Sequence, residues 1–293
     1  MKDIIFKGCG TALVTPFNDE GVDFETLRKL IEFQILEDVD SLIICGTTGE
    51  SSTMSLEEKK EVIKFSVQIA RKRVPIIAGT GGNNTKEVIE LSKYAESVGV
   101  DCLLLVTPYY NKTTQAGLVK HYEEIAKNTT LPIILYNVPS RTGINIEPMT
   151  CFELSKIPNI VAIKEASGNI SQIAQIASLC KDDLTIYSGN DDQTVTILSL
   201  GGLGVISVLS NIYPKFVHKM VYDYFSGNFR KACESQLSCL DLVNSLFCEV
   251  NPIPIKFALN HIGFSCGKPR LPLVELSHKN KEKVIQSLKN FTY

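Results

Sequence analysis

The sequence predicts an α/β protein, a closed (β/α)8 (TIM) barrel with a C-terminal helical appendage. Eight short apolar runs alternate with longer amphipathic stretches, a rhythm that places parallel strands between crossover helices. Eight units at steady spacing favour closure, and an open doubly wound sheet is the alternative. The length of 293 residues exceeds the roughly 250 of such a barrel, which leaves room for the appendage. The barrel is assigned to residues 1–227 and the appendage to 228–293.

The strands are expected at Gly10–Val14, Ser41–Cys45, Val74–Ala78, Cys102–Val106, Leu131–Tyr136, Ile160–Lys164, Leu184–Ser188 and Gly204–Ser207. Between them apolar residues recur at three- and four-residue steps, as in Val88, Leu91, Ala95 and Val98 or Ile173, Ile176, Ala177 and Cys180. Ser55 with Glu58 and Asn84 with Glu87 have capping-box spacing, and Pro148 suits a first helical turn. After Ile206 the alternation stops. Tyr213–Phe225, Phe229–Phe247, Ile253–His261 and His278–Leu288 all read as helix.

Thirty basic and 32 acidic residues leave a net charge of −2, which gives no field for nucleic acid and makes a small molecule the default partner. The chain lacks an apolar tract of the ~18 residues a membrane span needs. Nine cysteines without a Cys-x-x-Cys pair fit free thiols in the cytoplasm, and four isolated histidines lack metal-ligand spacing. No metal site is expected.

The chemistry centres on Ile160-Val161-Ala162-Ile163-Lys164-Glu165, a buried-strand pattern that ends in a lysine. In a barrel that end is where active sites lie. Apolar walls there disfavour the charged ammonium, and the neutral amine is the nucleophile that carbonyl substrates need. The competing reading is a lysine that closes the strand and extends its head to water. Gly46-Thr47-Thr48-Gly49 after the second strand suits a turn whose N–H groups and hydroxyls face a carboxylate, or an ordinary glycine turn before a helix. Gly79-Thr80-Gly81-Gly82 lacks the third glycine of a dinucleotide fingerprint, so no nucleotide cofactor is expected. Tyr136 ends the strand next to that of Lys164, where a phenol can relay the protons of imine formation, although a packed tyrosine is the plainer account. Arg141 follows in a loop, where a guanidinium can clamp a second carboxylate.

Gly46-Thr47-Thr48-Gly49-Glu50, Thr107-Pro108-Tyr109-Tyr110, Tyr136-Asn137-Val138-Pro139-Ser140-Arg141-Thr142-Gly143, Ile163-Lys164-Glu165 and Ser188-Gly189-Asn190-Asp191-Asp192 resemble the dihydrodipicolinate synthase family in order and spacing, from about Gly8 onward. This family belongs to the pyruvate-dependent Schiff-base aldolases, which also include N-acetylneuraminate lyase. The paired threonines, Tyr110 and above all Arg141 favour the synthases, since the sialic acid lyases generally lack that arginine. The resemblance implies condensation of pyruvate with L-aspartate 4-semialdehyde in diaminopimelate and lysine biosynthesis, by a cytoplasmic homotetramer that needs no cofactor. It implies an imine at Lys164, proton relay by Tyr136, and Thr47 linking Tyr136 to Tyr110 of a neighbouring subunit. Thr48 would hold the pyruvate carboxylate and Arg141 that of the semialdehyde, with Gly189 and Ile206 as backbone contacts. Asn190 stands where many members have Asp. Ser51, Ser52, Leu56, Lys59, Asn83, Glu87 and Tyr109 match a lysine-effector pocket, here vestigial because inhibited bacterial members carry histidines in place of Leu56 and Lys59. Another pyruvate aldolase is the rival enzyme, and a catalytically silent metabolite sensor the rival of another class.

Overall fold

The computed structural model describes residues 2–292. Eight parallel strands close into a barrel: β1 (Gly8–Ala12), β2 (Ser41–Ile44), β3 (Ile76–Gly79), β4 (Cys102–Val106), β5 (Ile133–Asn137), β6 (Ile160–Glu165), β7 (Thr185–Ser188) and β8 (Gly204–Ser207). Each strand pairs with its neighbours in sequence, and β1 closes against β8 through Gly10 opposite Ile206. The sheet is therefore closed and not doubly wound.

All eight apolar runs become strands, with shifted ends that have local causes. Pro75 and Pro132 carry no N–H for a ladder, so β3 and β5 begin after them and not at Val74 and Leu131. At β1 the expected Gly10–Val14 moves to Gly8–Ala12, because the N–H of Val14 turns away to Asn211 Oδ1 at 3.1 Å.

Eight helices alternate with the strands, one after each: α1 (Phe24–Leu36), α2 (Leu56–Ala70), α3 (Thr85–Ser97), α4 (Gln115–Ala126), α5 (Pro148–Leu154), α6 (Ile170–Cys180), α7 (Thr194–Ser199) and α8 (Pro214–Phe225). Ser55 and Glu58 form the full capping box of α2, which satisfies N–H groups that a helix start leaves unpaired. At α3 the box is incomplete: the Asn84 side chain accepts from the N–H of Lys86 and donates to Glu87 at 2.8 Å. Pro148 opens α5, where its missing N–H costs nothing.

Four more helices follow, α9 (Phe229–Ser238), α10 (Leu240–Leu246), α11 (Ile253–His261) and α12 (His278–Asn290). The single helix expected over Phe229–Phe247 is broken at Cys239, whose φ of −90° and ψ of −3° turn the axis. These helices are in contact with the barrel and with one another: α9 packs on α7 and α8, and α12 on α10 and α11.

Two apolar layers result. One fills the space between strands and helices, and includes Ile133, Leu135, Ile160 and Ile163. The other fills the barrel itself, with Phe6, Ile43, Ile134, Tyr136, Val161, Ala162, Tyr187 and Ile206. Phe6 plugs this interior from the N-terminal segment, its ring stacked on Tyr187 with centroids 4.3 Å apart. Gly10 makes room for it, since a Cβ there would stand 2.9 Å from the Phe6 ring. No helix among the described residues is long and apolar enough to cross a membrane.

Candidate active site

The lysine owes its direction to an irregularity in β6. Ile133 pairs with Ile160, but Ile134 pairs with Ala162, so Val161 is an extra residue bulged out of the ladder. Val161 and Ala162 both face the barrel interior as a result. From there alternation resumes, with Ile163 outward and Lys164 inward, level with Tyr136 on β5. Without the bulge Ile163 would occupy the lysine's place, because a one-residue slip exchanges the faces of a strand.

Lys164 is 6% exposed and its Nζ lies 4.3 Å from the Tyr136 ring centroid. It does not extend to water along its stem. Gly189, after β7, lets the lysine stem pass: a Cβ there would stand 3.1 Å from Lys164 Cε and 2.7 Å from Ala166 Cβ. The N–H of Gly189 is fixed by the carbonyl of Glu165 at 2.8 Å. Ile206 is fully buried in the same interior layer as Tyr136, and Asn190 is half-buried beside Gly189.

Thr47 and Tyr136 line one small cavity at the mouth, with Cys45, Gly46, Ser51 and Val106. In the Gly46–Glu50 turn the N–H groups of Gly49 and Glu50 are spent on Gly46 and Thr47 carbonyls, each at 3.1 Å. The N–H groups of Thr47 and Thr48 are not spent within the turn in this way. Gly49 is needed for closeness, as a Cβ would meet the Leu13 carbonyl at 3.1 Å.

The C-terminal segment holds this turn from behind. Asn251 Nδ2 donates to Thr48 Oγ1 at 3.0 Å, and the Asn251 carbonyl accepts from Arg141 Nη2 at 3.5 Å. Glu50, in the left-handed conformation with φ 54°, buries its carboxylate against Lys256 Nζ at 2.7 Å and accepts from the N–H of Arg270 at 2.9 Å. Burial pushes the Lys256 ammonium below its ordinary range, while Glu50 pulls it back. Arg270 goes on to grip Glu58 of α2 through both Nη atoms, at 2.9 and 2.6 Å. Asn251, Lys256 and Arg270 were not among the residues singled out from the sequence.

Two further buried acids flank the lysine. Glu165, next to it on β6, faces outward and accepts from the N–H of Ser167 at 2.7 Å and from Asn137 Nδ2 at 3.2 and 3.1 Å. Asp191 accepts from the Ser207 hydroxyl and from the N–H groups of Val208 and Leu209, at 2.9 and 3.0 Å. Burial pushes both carboxyls above the usual range, against the pull of these donors and, for Asp191, of the Lys164 charge.

Arg141 is exposed on the single helical turn Pro139–Thr142, and Tyr110 is 94% exposed with φ 66°. The Tyr110 ring is therefore not packed against Lys164 or Tyr136, which are buried. Ser51, Ser52, Leu56, Lys59, Asn83, Glu87 and Tyr109 lie around the starts of α2 and α3 and the loop after β4, each exposed or half-buried. Asn83 Nδ2 reaches the Tyr109 carbonyl at 3.4 Å.

A closed parallel barrel with a buried lysine and tyrosine side by side at its C-terminal mouth has the architecture of a barrel enzyme acting on small molecules. The model of the dihydrodipicolinate synthetase family matches residues 5–291, and the chain belongs to that family. It is 56% identical over 287 residues to 4-hydroxy-tetrahydrodipicolinate synthase 1 of Clostridium acetobutylicum, with 98% of each chain covered. A dihydrodipicolinate synthase of Acinetobacter baumannii, crystallised with pyruvate, superposes with a TM-score of 0.95 at 43% identity, over 98% of this chain and 99% of that one. The enzyme of Cyanidioschyzon merolae, crystallised with lysine bound, gives 0.96 at 38% identity, over 98% and 99%.

Proposed function

We propose that this chain is a 4-hydroxy-tetrahydrodipicolinate synthase that condenses pyruvate with L-aspartate 4-semialdehyde in lysine biosynthesis in the cytoplasm. The observation that carries the reading is the pairing of Tyr136 with Lys164 across β5 and β6, in a chain of this family. Lys164 Nζ attacks the keto carbon of pyruvate as the free amine, and water leaves to give a protonated imine. Loss of a methyl proton turns the imine into an enamine. The enamine carbon bonds to the aldehyde carbon while the aldehyde oxygen takes a proton. The amine of the bound product then attacks the imine carbon, closing the ring and releasing the lysine.

Tyr136 carries the protons, a role supported by the cavity that it and Thr47 both line. Thr48, steadied by Asn251, is the pyruvate carboxylate's ligand, and Arg141 that of the semialdehyde, with Gly189 and Ile206 beside the lysine. The outward Tyr110 fits a contribution to a neighbouring subunit's site, as in a homotetramer built from two dimers. Sedimentation showing an active monomer would remove that role.

Borohydride reduction in the presence of pyruvate tests the mechanism directly. Peptide mass mapping is expected to find one pyruvate-derived group, at Lys164, and none in Lys164→Ala. Tyr136→Phe is expected to keep the fold and lose about 10²- to 10⁴-fold in turnover, the usual worth of a positioned acid or base. Labelling elsewhere, or turnover of N-acetylneuraminate in place of the semialdehyde, would overturn the assignment.

A further inference from the structure

Four carboxylates and two lysines among the described residues are buried: Glu50, Glu165, Asp191 and Asp223, with Lys164 and Lys256. Glu50 pairs with Lys256, and Asp223 with Lys219 and Lys231 at the surface. The two acids and the one base left without an ion pair all sit at the C-terminal mouth of the barrel. Lone buried charges are costly, so their gathering in one place asks for a reason.

We propose that Glu165 and Asp191 are positioning residues whose carboxylates, fixed behind the barrel wall, stabilise the positive charge that appears on the Lys164 nitrogen when the protonated imine forms. The inference rests on the reading of Lys164 as the imine-forming residue. Three features of the geometry support it. Glu165 follows Lys164 on β6, and the carbonyl of Glu165 anchors Gly189, which borders the lysine stem. Asp191 lies two residues beyond Gly189 and is tied to Ser207 and Val208, directly after Ile206. Every hydrogen bond to either carboxylate comes from a donor, and the backbone N–H groups of Ser167, Val208 and Leu209 cannot reverse their role. These neutral donors stabilise an anion without cancelling its charge. Neither acid is held by a cation that would quench its field, and the field of fixed charges acts at no cost in reorganisation when the imine forms.

The same negative field opposes the approach of the pyruvate carboxylate. Removing one of the two charges therefore helps binding of the anion but weakens the cationic intermediate. A loss of structure would instead raise KM and lower kcat together.

The test uses the full chain and both substrates. Wild-type turnover and borohydride trapping come first, and failure of these would overturn the proposed function itself. With those in hand, Asp191→Asn and Glu165→Gln remove a charge while nearly keeping shape; Ser207 can turn its hydroxyl oxygen toward the amide at 191, and Gln172, whose Nε2 donates to Glu165 Oε2 at 3.4 Å, can turn its amide oxygen toward the one at 165. Each is expected to lower kcat about tenfold, the effect of a unit charge a few residues away at an intermediate dielectric, with KM for pyruvate within about threefold of wild type. The fraction of protein trapped by borohydride at saturating pyruvate should fall as well. Ser207→Ala, which drops one donor but keeps the charge, should hold kcat within about threefold. Circular dichroism and melting curves establish folding, and either neutral variant can carry the test alone. A kcat loss below about threefold in the folded neutral variants, a loss carried by KM, or an equal loss in Ser207→Ala would overturn the proposal. So would failure of both neutral variants to fold, which would assign the two acids to structure.

Discussion

Replacing Lys256 by methionine keeps the stem's volume and removes its charge. Glu50 is then left with the Arg270 N–H as its remaining hydrogen-bond donor, in a site where both partners of the ion pair are at most 1% exposed. Stranding a buried charge in this way costs about 3–5 kcal/mol. Unfolding entropy of about 2.1 cal/mol/K per residue gives about 0.6 kcal/mol/K for 293 residues, so Tm should fall by about 5–8 °C. The double variant Glu50→Gln/Lys256→Met should recover more than half of the loss, because it no longer holds a lone charge. Turnover should suffer too, since Glu50 ends the turn that carries Thr47 and Thr48. Differential scanning calorimetry of the wild type, both single variants and the double variant checks the cycle. A Tm drop under 2 °C in Lys256→Met, or no recovery in the double variant, would refute the reasoning.

Two other outcomes follow from particular side chains. His121 is buried on α4, its Nδ1 beside Thr85 Oγ1 and its Nε2 without a partner, and burial pushes it down to about 4 from 6.5. The unfolded chain therefore binds a proton first as pH falls through 6.5, and stability is lost from there down to about pH 4. Between pH 7 and 4.5 the wild type should lose about 2.5 kcal/mol more than His121→Gln in urea unfolding, and equal losses would clear His121 of that role. L-lysine should inhibit weakly, with half-inhibition above the millimolar range, because Leu56 offers its ammonium no acceptor and Lys59 repels it. Strong inhibition at sub-millimolar lysine, in an assay with both substrates near KM, would reverse that reading of the pocket.

The strands were legible because burial on both faces of a parallel sheet writes itself as continuous apolar runs. The same property hid the bulge. Ile160, Val161, Ala162 and Ile163 are all apolar, so no alternation marks which of them is the extra residue, and the sequence places Lys164 at the strand's end without fixing the face it takes. Tyr136 and Lys164 could be set on neighbouring strands from their order alone. Asn251 and Lys256 could not be joined to Thr48 and Glu50, because contacts across some 200 positions leave no local pattern. A signal did exist in Ile253-Pro254-Ile255-Lys256-Phe257-Ala258-Leu259, where one lysine interrupts an apolar helix and calls for a buried acid. Glu165 and Asp191 stood inside quoted motifs, but their lack of an ion pair is visible only in three dimensions.

The clamp on the Gly46–Glu50 turn also orders events during synthesis. Glu50 leaves the ribosome 206 residues before Lys256, a wait of roughly 10–40 s at ordinary elongation rates. Throughout that interval the nascent chain can hold all eight strands, with the lysine and the tyrosine in register, yet its threonine turn has no backing. A released fragment that stops short of α11 would carry Lys164 in a mouth whose threonine turn lacks the Lys256 contact to Glu50. Competence for the reaction thus arrives late, with the helices that lie outside the barrel.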